Sequence, residues 1–225
     1  MTDVKHWRVS YNDIHNLIRK VTPQIAAEFN PDLMIAIGGG GFFPARVMRT
    51  FLRESTVNKT LQIQAIGLSL YEPIQGTTAE QIGKEVVRTQ WLGPDAGKLL
   101  LGKRNLIVDE VDDTRKTLSF VDSPSLALHQ LISTHRYALL ELQKDVAVEL
   151  LNHPESEREA LAKATKFAIF VVHNKKKPKL AEIPADTPYF SGADVDDVWL
   201  DYPWEATNIE EHDRLAAADK ASEWH

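Results

Sequence analysis

The sequence contains no cysteine in 225 residues. This excludes a disulfide framework, thiolate metal sites and a thiol nucleophile, and it fits a reducing compartment. Long hydrophobic runs are missing as well. No stretch approaches the roughly 18 uninterrupted apolar residues of a membrane helix, and Met1 through Trp7 to Ser10 carries no apolar core of the signal-peptide kind. A cytoplasmic protein without a membrane span is therefore expected. Basic charge is not in excess: 26 Lys and Arg against 32 Asp and Glu leave a net charge of −6, which argues against a nucleic-acid partner. Internal repeats and low-complexity tracts are absent, and the marked charge run is Lys175-Lys176-Lys177. The hydrophobic share of 43% and charged share of 26% are those of an ordinary globular chain. One large domain or two small ones of this size would bury roughly 70% of the unfolded surface without staples.

Hydrophobic patterning predicts alternating helices and strands. Ser10 and Asp13 form a capping signal ahead of a helix whose apolar face is Ile14, Leu17, Ile18 and Val21, and Pro23 and Pro31 bracket the next stretch. Leu33 to Ile37 is a continuous apolar run, read as a strand buried on both faces. Gly38 to Gly41 break it, and Pro44 suits the first turn of a helix burying Val47, Met48, Phe51 and Leu52. Leu61 to Leu70, Asn105 to Asp109 and Lys166 to His173 read as further strands, while 71–97 reads as a long loop with little periodicity. This order indicates a parallel sheet with helices on both faces, and ligands in such sheets bind at the carboxyl ends of the strands.

Two strand ends carry candidate chemistry. Gly38-Gly39-Gly40-Gly41 lets backbone N–H groups approach an anion ahead of a helix N-terminus; a plain strand-to-helix turn is the other reading. No Gly-Lys-Ser/Thr follows, so the stretch is not a P-loop. The second strand end reads Asp109-Glu110-Val111-Asp112-Asp113-Thr114-Arg115-Lys116-Thr117. Four carboxylates in five positions repel one another unless a cation or a hydroxyl-rich ligand joins them. The donors from Thr114 to Thr117 would cradle a phosphate, and carboxylates for sugar hydroxyls beside them describe a sugar-phosphate site. A solvated acidic turn is the alternative.

This motif resembles the phosphoribosyl pyrophosphate motif of type I phosphoribosyltransferases. Together with Ile35 to Arg46, Leu68 to Glu72, Arg88 to Trp91 and Trp199 to Glu205, it makes nearly the whole chain similar to fungal hypoxanthine-guanine phosphoribosyltransferases. The resemblance implies an α/β fold with a type I phosphoribosyltransferase-like parallel sheet flanked by helices. It also implies one domain over 1–225, with a core of about 24–175 and a small hood from about 1–23 and 176–225. Asp109 and Glu110 would hold the ribose hydroxyls, directly or through magnesium. Asp113 would be the acid/base group facing N7 of the purine, and Asp113, Thr114, Arg115, Lys116 and Thr117 would bind the 5′-phosphate. Gly39, Gly40 and Gly41 match the pyrophosphate loop, and Ser69, Tyr71 and Arg88 belong to a closing loop. Relatives often carry a basic or bulkier residue at Gly39, and many have glycine at Arg115.

The purine-recognition segment matches Trp199-Leu200-Asp201-Tyr202-Pro203-Trp204-Glu205. Trp199 would stack on the base while groups around Leu200 and Asp201 read its edge. Two tryptophans of a C-terminal core are the alternative, and it suits Trp204 better. The reader of the purine 6-oxo group is His173, by register, or Lys175, by chemistry; a solvated loop also accounts for the lysine run. The remaining histidines are expected mostly at the surface. Implied partners are phosphoribosyl pyrophosphate and a purine base, in a homodimer or homotetramer. A xanthine-preferring enzyme and a non-catalytic nucleotide sensor are the competing readings.

The pattern breaks between Phe120 and Tyr137. Asp122-Ser123-Pro124-Ser125 interrupts the helix expected after the phosphate loop, where Pro124 would cost roughly 3 kcal/mol. Removing the sixteen residues Val121 to Arg136 restores helical spacing for Leu118, Tyr137, Ala138 and Leu142. The segment is read as a surface loop peculiar to this chain or as translated intron.

Overall fold

The computed structural model describes residues 5–73, 80–113, 134–179 and 182–222. Strand β1 (His6–Arg8) leads into helix α1 (Tyr11–Glu28), where Ser10 and Asp13 form a reciprocal capping box. The helix runs through Pro23 instead of stopping there. Its buried stripe of Ile14, Ile18, Val21 and Ile25 continues past the proline, which lies on the exposed side. At the far end Phe29 and Asn30 both donate to the Ile25 carbonyl, at 3.0 and 2.8 Å, with Asn30 left-handed at φ 50°.

Strand β2 (Leu33–Gly38), helix α2 (Phe42–Ser55), strand β3 (Gln62–Pro73), strand β4 (Glu80–Gln90) and short helix α3 (Ala96–Leu100) come next. After them are β5 (Arg104–Asp112), α4 (Thr134–Leu151), α5 (Glu155–Ala164), β6 (Lys166–Lys175), β7 (Tyr189–Val195), β8 (Trp199–Asp201), a 3-10 turn at Pro203–Glu205 and α6 (Ile209–Ser222). The main sheet has the order β4-β3-β2-β5-β6-β7 and is parallel apart from β4. The stretch 71–97 is thus largely an antiparallel edge strand and a short helix rather than an aperiodic loop. That strand, EQIGKEVVRTQ, lies at the sheet edge and lacks the regular alternation by which strands are read.

Alternation on the central strands builds two cores. Met34, Ala36, Leu106, Val108 and Phe170 face α1 and α2, packing on Ile18, Ile25, Met48 and Leu52. Ile35, Ile37, Ile107, Ile169 and Val171 face the opposite way, against Leu100, Leu139 and Leu142. Each fully buried aliphatic side chain here contributes on the order of 1.5–3 kcal/mol. A second, two-stranded sheet pairs β1 with β8 in parallel, His6 beside Trp199 and Arg8 beside Asp201, so the first and last parts of the described chain meet. His212 of α6 ties to this unit through the Val9 carbonyl at 3.0 Å.

Thr134, His135 and Arg136 belong to α4, so the end of the anomalous segment is helical. Residues 121–133 lie outside the described residues, as do Thr114, Arg115, Lys116 and Thr117.

Candidate active site

The carboxyl ends of β2, β5 and β6 converge with the turn before β8. Gly41 closes the first of them, donating to the Ile37 carbonyl at 2.9 Å; a Cβ there would lie 2.4 Å from the Val108 carbonyl oxygen. Gly40 rests on the Glu110 carboxyl, whose carbon would be 1.8 Å from an added Cβ. The glycine run is therefore the surface against which the acidic strand end packs. The sequence motifs at Gly39–Gly41 and at Asp109–Asp113 come together here.

Asp109 and Glu110 are short of positive charge. Asp109 is buried, accepts the Glu110 N–H at 2.9 Å and lies 2.9 Å from Nε2 of His135. Burial pushes its carboxyl up to about 6, with Asp112 adding repulsion. Burial, then the Asp109 charge, lift Glu110 well above the usual carboxylate range, and its Oε2 is buried without a hydrogen-bond partner. Asp112 accepts from Tyr189 at 3.0 Å and from Lys179 at 3.3 Å.

Asp113 has the opposite environment. Burial alone would raise its carboxyl, but Lys175 at 2.5 Å and Lys177 hold it below its ordinary value. Lys177 also meets Asp197 at 2.6 Å. Two lysines of the run, Lys175 and Lys177, thus turn inward into ion pairs, while Lys176 between them is exposed.

His173 does not join it. The ring is 1% exposed, and Nδ1 lies 2.9 Å from the Tyr202 hydroxyl, which itself donates to the Glu110 carbonyl at 3.0 Å. One hydroxyl hydrogen cannot serve both, so the imidazole donates through Nδ1. Burial pushes its pKa down to about 4, and the ring is neutral. Of the two candidates for the purine edge, Lys175 reaches Asp113 and His173 packs beneath. His135 and His212 are also buried, exceptions to the expectation that most remaining histidines lie at the surface, as His6 and His15 do.

Trp199 is 58% exposed beside His6, whereas Leu200 is buried. The Asp201 carboxylate, expected at the purine edge, is taken by His6 at 2.9 Å and Arg8 at 3.8 Å. Trp204 stacks on Tyr202 at 4.8 Å and on Phe43 at 5.5 Å, as a core tryptophan would. Ser69 lies opposite Val87, and Tyr71 opposite Ile82, in the β3–β4 hairpin. Arg88 anchors the hairpin's base through Glu141, its guanidinium 4.1 Å above the Trp91 ring. Sequence reading missed Lys177, Asp197, Tyr202 and His135. For Lys177 a signal existed: its two-residue spacing from Lys175, on a chain leaving a strand.

No helix among the described residues is long and apolar enough to cross a membrane. No family model matches the chain. It is 48% identical over 218 residues to the hypoxanthine-guanine phosphoribosyltransferase of Schizosaccharomyces pombe, covering 92% of this chain and 93% of that protein. To xanthine phosphoribosyltransferase 1 of Saccharomyces cerevisiae it is 44% identical over 232 aligned positions, covering 97% and 98%. Among solved structures it is similar to a hypothetical protein from Neisseria gonorrhoeae with bound ppGpp, at 34% identity and a TM-score of 0.68, covering 97% and 99%. With that identity to the fission-yeast protein running across more than nine-tenths of both sequences, the chain belongs to the hypoxanthine-guanine phosphoribosyltransferase family, glycosyltransferase-type enzymes of purine salvage.

Proposed function

We propose that this chain transfers the 5-phosphoribosyl group of phosphoribosyl pyrophosphate to hypoxanthine or guanine in the cytoplasm, giving IMP or GMP and pyrophosphate. The carrying observation is the lysine-bound Asp113 standing three residues beyond a Glu110 that packs on Gly40. One strand end thus offers a base for the purine and carboxylates for the ribose, beside a backbone loop for the leaving group.

In the reaction the C1–O bond to pyrophosphate breaks and a bond from C1 to a purine nitrogen forms, through an oxocarbenium-like state. Asp113, held ionised by its lysines, takes the proton from N7. Lys175 turns to the 6-oxo group, and Trp199 offers an exposed π-face to the ring. Backbone N–H groups at Gly39 and Gly40 receive the pyrophosphate, with Gly41 closing the loop on the Ile37 carbonyl, and Thr114 to Thr117 receive the 5′-phosphate. The hood built by both ends of the chain and the hairpin carrying Ser69, Tyr71 and Arg88 keep water from the ribosyl cation. Asp109 and Glu110 fit a hard divalent ion, being adjacent buried oxygen donors with Glu110 Oε2 unpartnered. These two carboxylates would hold magnesium, which would supply charge neutralisation for the leaving pyrophosphate. The active species is a homodimer or homotetramer.

The 44% identity to a xanthine phosphoribosyltransferase supports a second reading with the same mechanism and a xanthine preference. Pyrophosphate release measured with hypoxanthine, guanine, xanthine and adenine, with and without magnesium, tests both. The first reading expects release with hypoxanthine and guanine, dependent on the metal. Release with xanthine above all would select the second, and none with any purine would end both.

A further inference from the structure

The lysine run carries more than a reader for the purine oxygen. Lys177 is largely buried, its ammonium in contact with Asp113 and 2.6 Å from Asp197. Asp197 lies in the turn between β7 and β8, two residues before Trp199. The backbone is fixed at the same place: Lys176 donates its N–H to Val195 at 2.6 Å, and Lys177 to Lys175 at 3.0 Å. Two ammonium groups and two carboxylates thus form a neutral set spanning β5, the end of β6 and the turn that presents the stacking tryptophan.

The reaction needs Lys175 in two places. It holds Asp113 at 2.5 Å, yet the purine oxygen requires the same ammonium. Asp113 left alone would be a half-buried carboxylate without a partner, free to turn from the base and inclined to protonate. A second cation that stays behind removes that conflict, provided something keeps it there. Asp197 does so, because a lysine held by two carboxylates is not drawn off by either.

We propose that Lys177, held by Asp197, is a positioning residue that keeps the Asp113 carboxylate charged and aimed while Lys175 moves to the purine oxygen. The inference rests on the reading of Asp113 as the base. The groups facing Asp113 among the described residues are Lys175 at the end of β6, Lys177 just beyond it, Asp197 behind Lys177, and the buried Tyr202 phenol after β8. Glu110 and Asp112 are the acidic neighbours on its own strand.

The test compares Lys177→Met, Lys177→Arg and Asp113→Asn in the full chain. Measured are kcat and KM for hypoxanthine and for phosphoribosyl pyrophosphate, the pH profile of kcat/KM, and the melting temperature. Lys177→Met is expected to move the acidic limb of the profile up by about one pH unit and to lower kcat about tenfold or more. KM for phosphoribosyl pyrophosphate should stay near the parent value, and Lys177→Arg should return the limb to its place. A packing role alone would lower the melting temperature and leave the limb where it was; that result overturns the proposal. Should the methionine variant not fold, Lys177→Gln, polar and uncharged, gives the same reading. Asp113→Asn separates the two levels. Full turnover in that variant removes the base itself, whereas lost turnover beside an unmoved limb in Lys177→Met removes only the role of Lys177.

Discussion

Asp109 and Asp113 stand at one strand end, four positions apart, and their surroundings are opposed. Asp109 faces α4 with a second carboxylate beside it and a carboxyl pushed up to about 6 by burial. Asp113 faces two lysines that outweigh its burial and depress it. The first environment leaves a buried carboxylate oxygen, Oε2 of Glu110, without a hydrogen-bond partner. The second is satisfied by its own lysines. A folded protein tolerates the first kind of site only because the rest of the fold offsets its cost.

The largest effect belongs to Asp113. Replacement by Asn keeps the shape and removes the base, so kcat should fall by roughly 10²–10⁴-fold, the usual worth of a positioned acid–base group. Steady-state kinetics with hypoxanthine at saturating phosphoribosyl pyrophosphate reads this directly. KM should change little. A fall confined to KM would mean that Asp113 binds the purine without moving its proton.

Asp109 should respond in the other direction, in stability. Its folded pKa of about 6 lies above the ordinary aspartate value of 3.8, so the ligand-free fold binds this proton more tightly than the unfolded chain does. The penalty is therefore full above pH 6, shrinks as pH falls through 6, and is gone below about 4. At 1.36 kcal/mol per unit it is on the order of 2–3 kcal/mol. Asp109→Asn should raise the ligand-free melting temperature by about 5 °C at pH 7.5 and leave it unchanged near pH 4. Scanning fluorimetry at the two pH values decides. No gain at pH 7.5 would show that His135, 2.9 Å away, already compensates the charge.

These contrasts explain what was legible in the sequence. Strands β2, β5 and β6 are buried on both faces, so Leu33–Ile37, Leu106–Val108 and Phe167–Val172 read as unbroken apolar runs. The motif after β5 was legible because its acidic residues are contiguous in the chain. Strand β4 was not, since Glu80–Gln90 lies at the sheet edge, where pairing needs no buried face. Nor was the set around Asp113. Lys177 and Asp197 are 20 residues apart, and they meet Asp113 through the parallel pairing of β5, β6 and β7. His173 misled for a related reason: position after a strand named it as a ligand reader, while the aromatic layer of Trp7 and Tyr202 that covers it comes from both ends of the chain.

The smallest effect sharpens the comparison from the other end of the same sheet. Asp32 precedes β2 and receives a forked pair from the Arg104 guanidinium at 2.8 and 2.9 Å, together with the Arg104 backbone N–H at 3.0 Å. Arg104 holds its carboxyl below the ordinary value against a modest burial cost. A depressed carboxylate contributes stability that is present above the unfolded value of 3.8 and is lost as pH falls through the folded one. That sign is opposite to the one at Asp109. Both partners are about a third exposed, so water and salt screen the pair and Asp32→Asn should cost only about 0.5–1 kcal/mol at pH 7.5. The loss should shrink in high salt and vanish as pH falls through the folded value, with kcat and both KM values unchanged, because Asp32 precedes β2, at the strand end opposite Asp113 and the glycine run. Paired melts of Asp32→Asn and Asp109→Asn at pH 7.5 would thus move apart, one down and one up. If both moved down, the charge at Asp109 would be holding the fold together as Asp32 does, and the distinction between a ligand-awaiting end and a self-satisfied end of the sheet would fail.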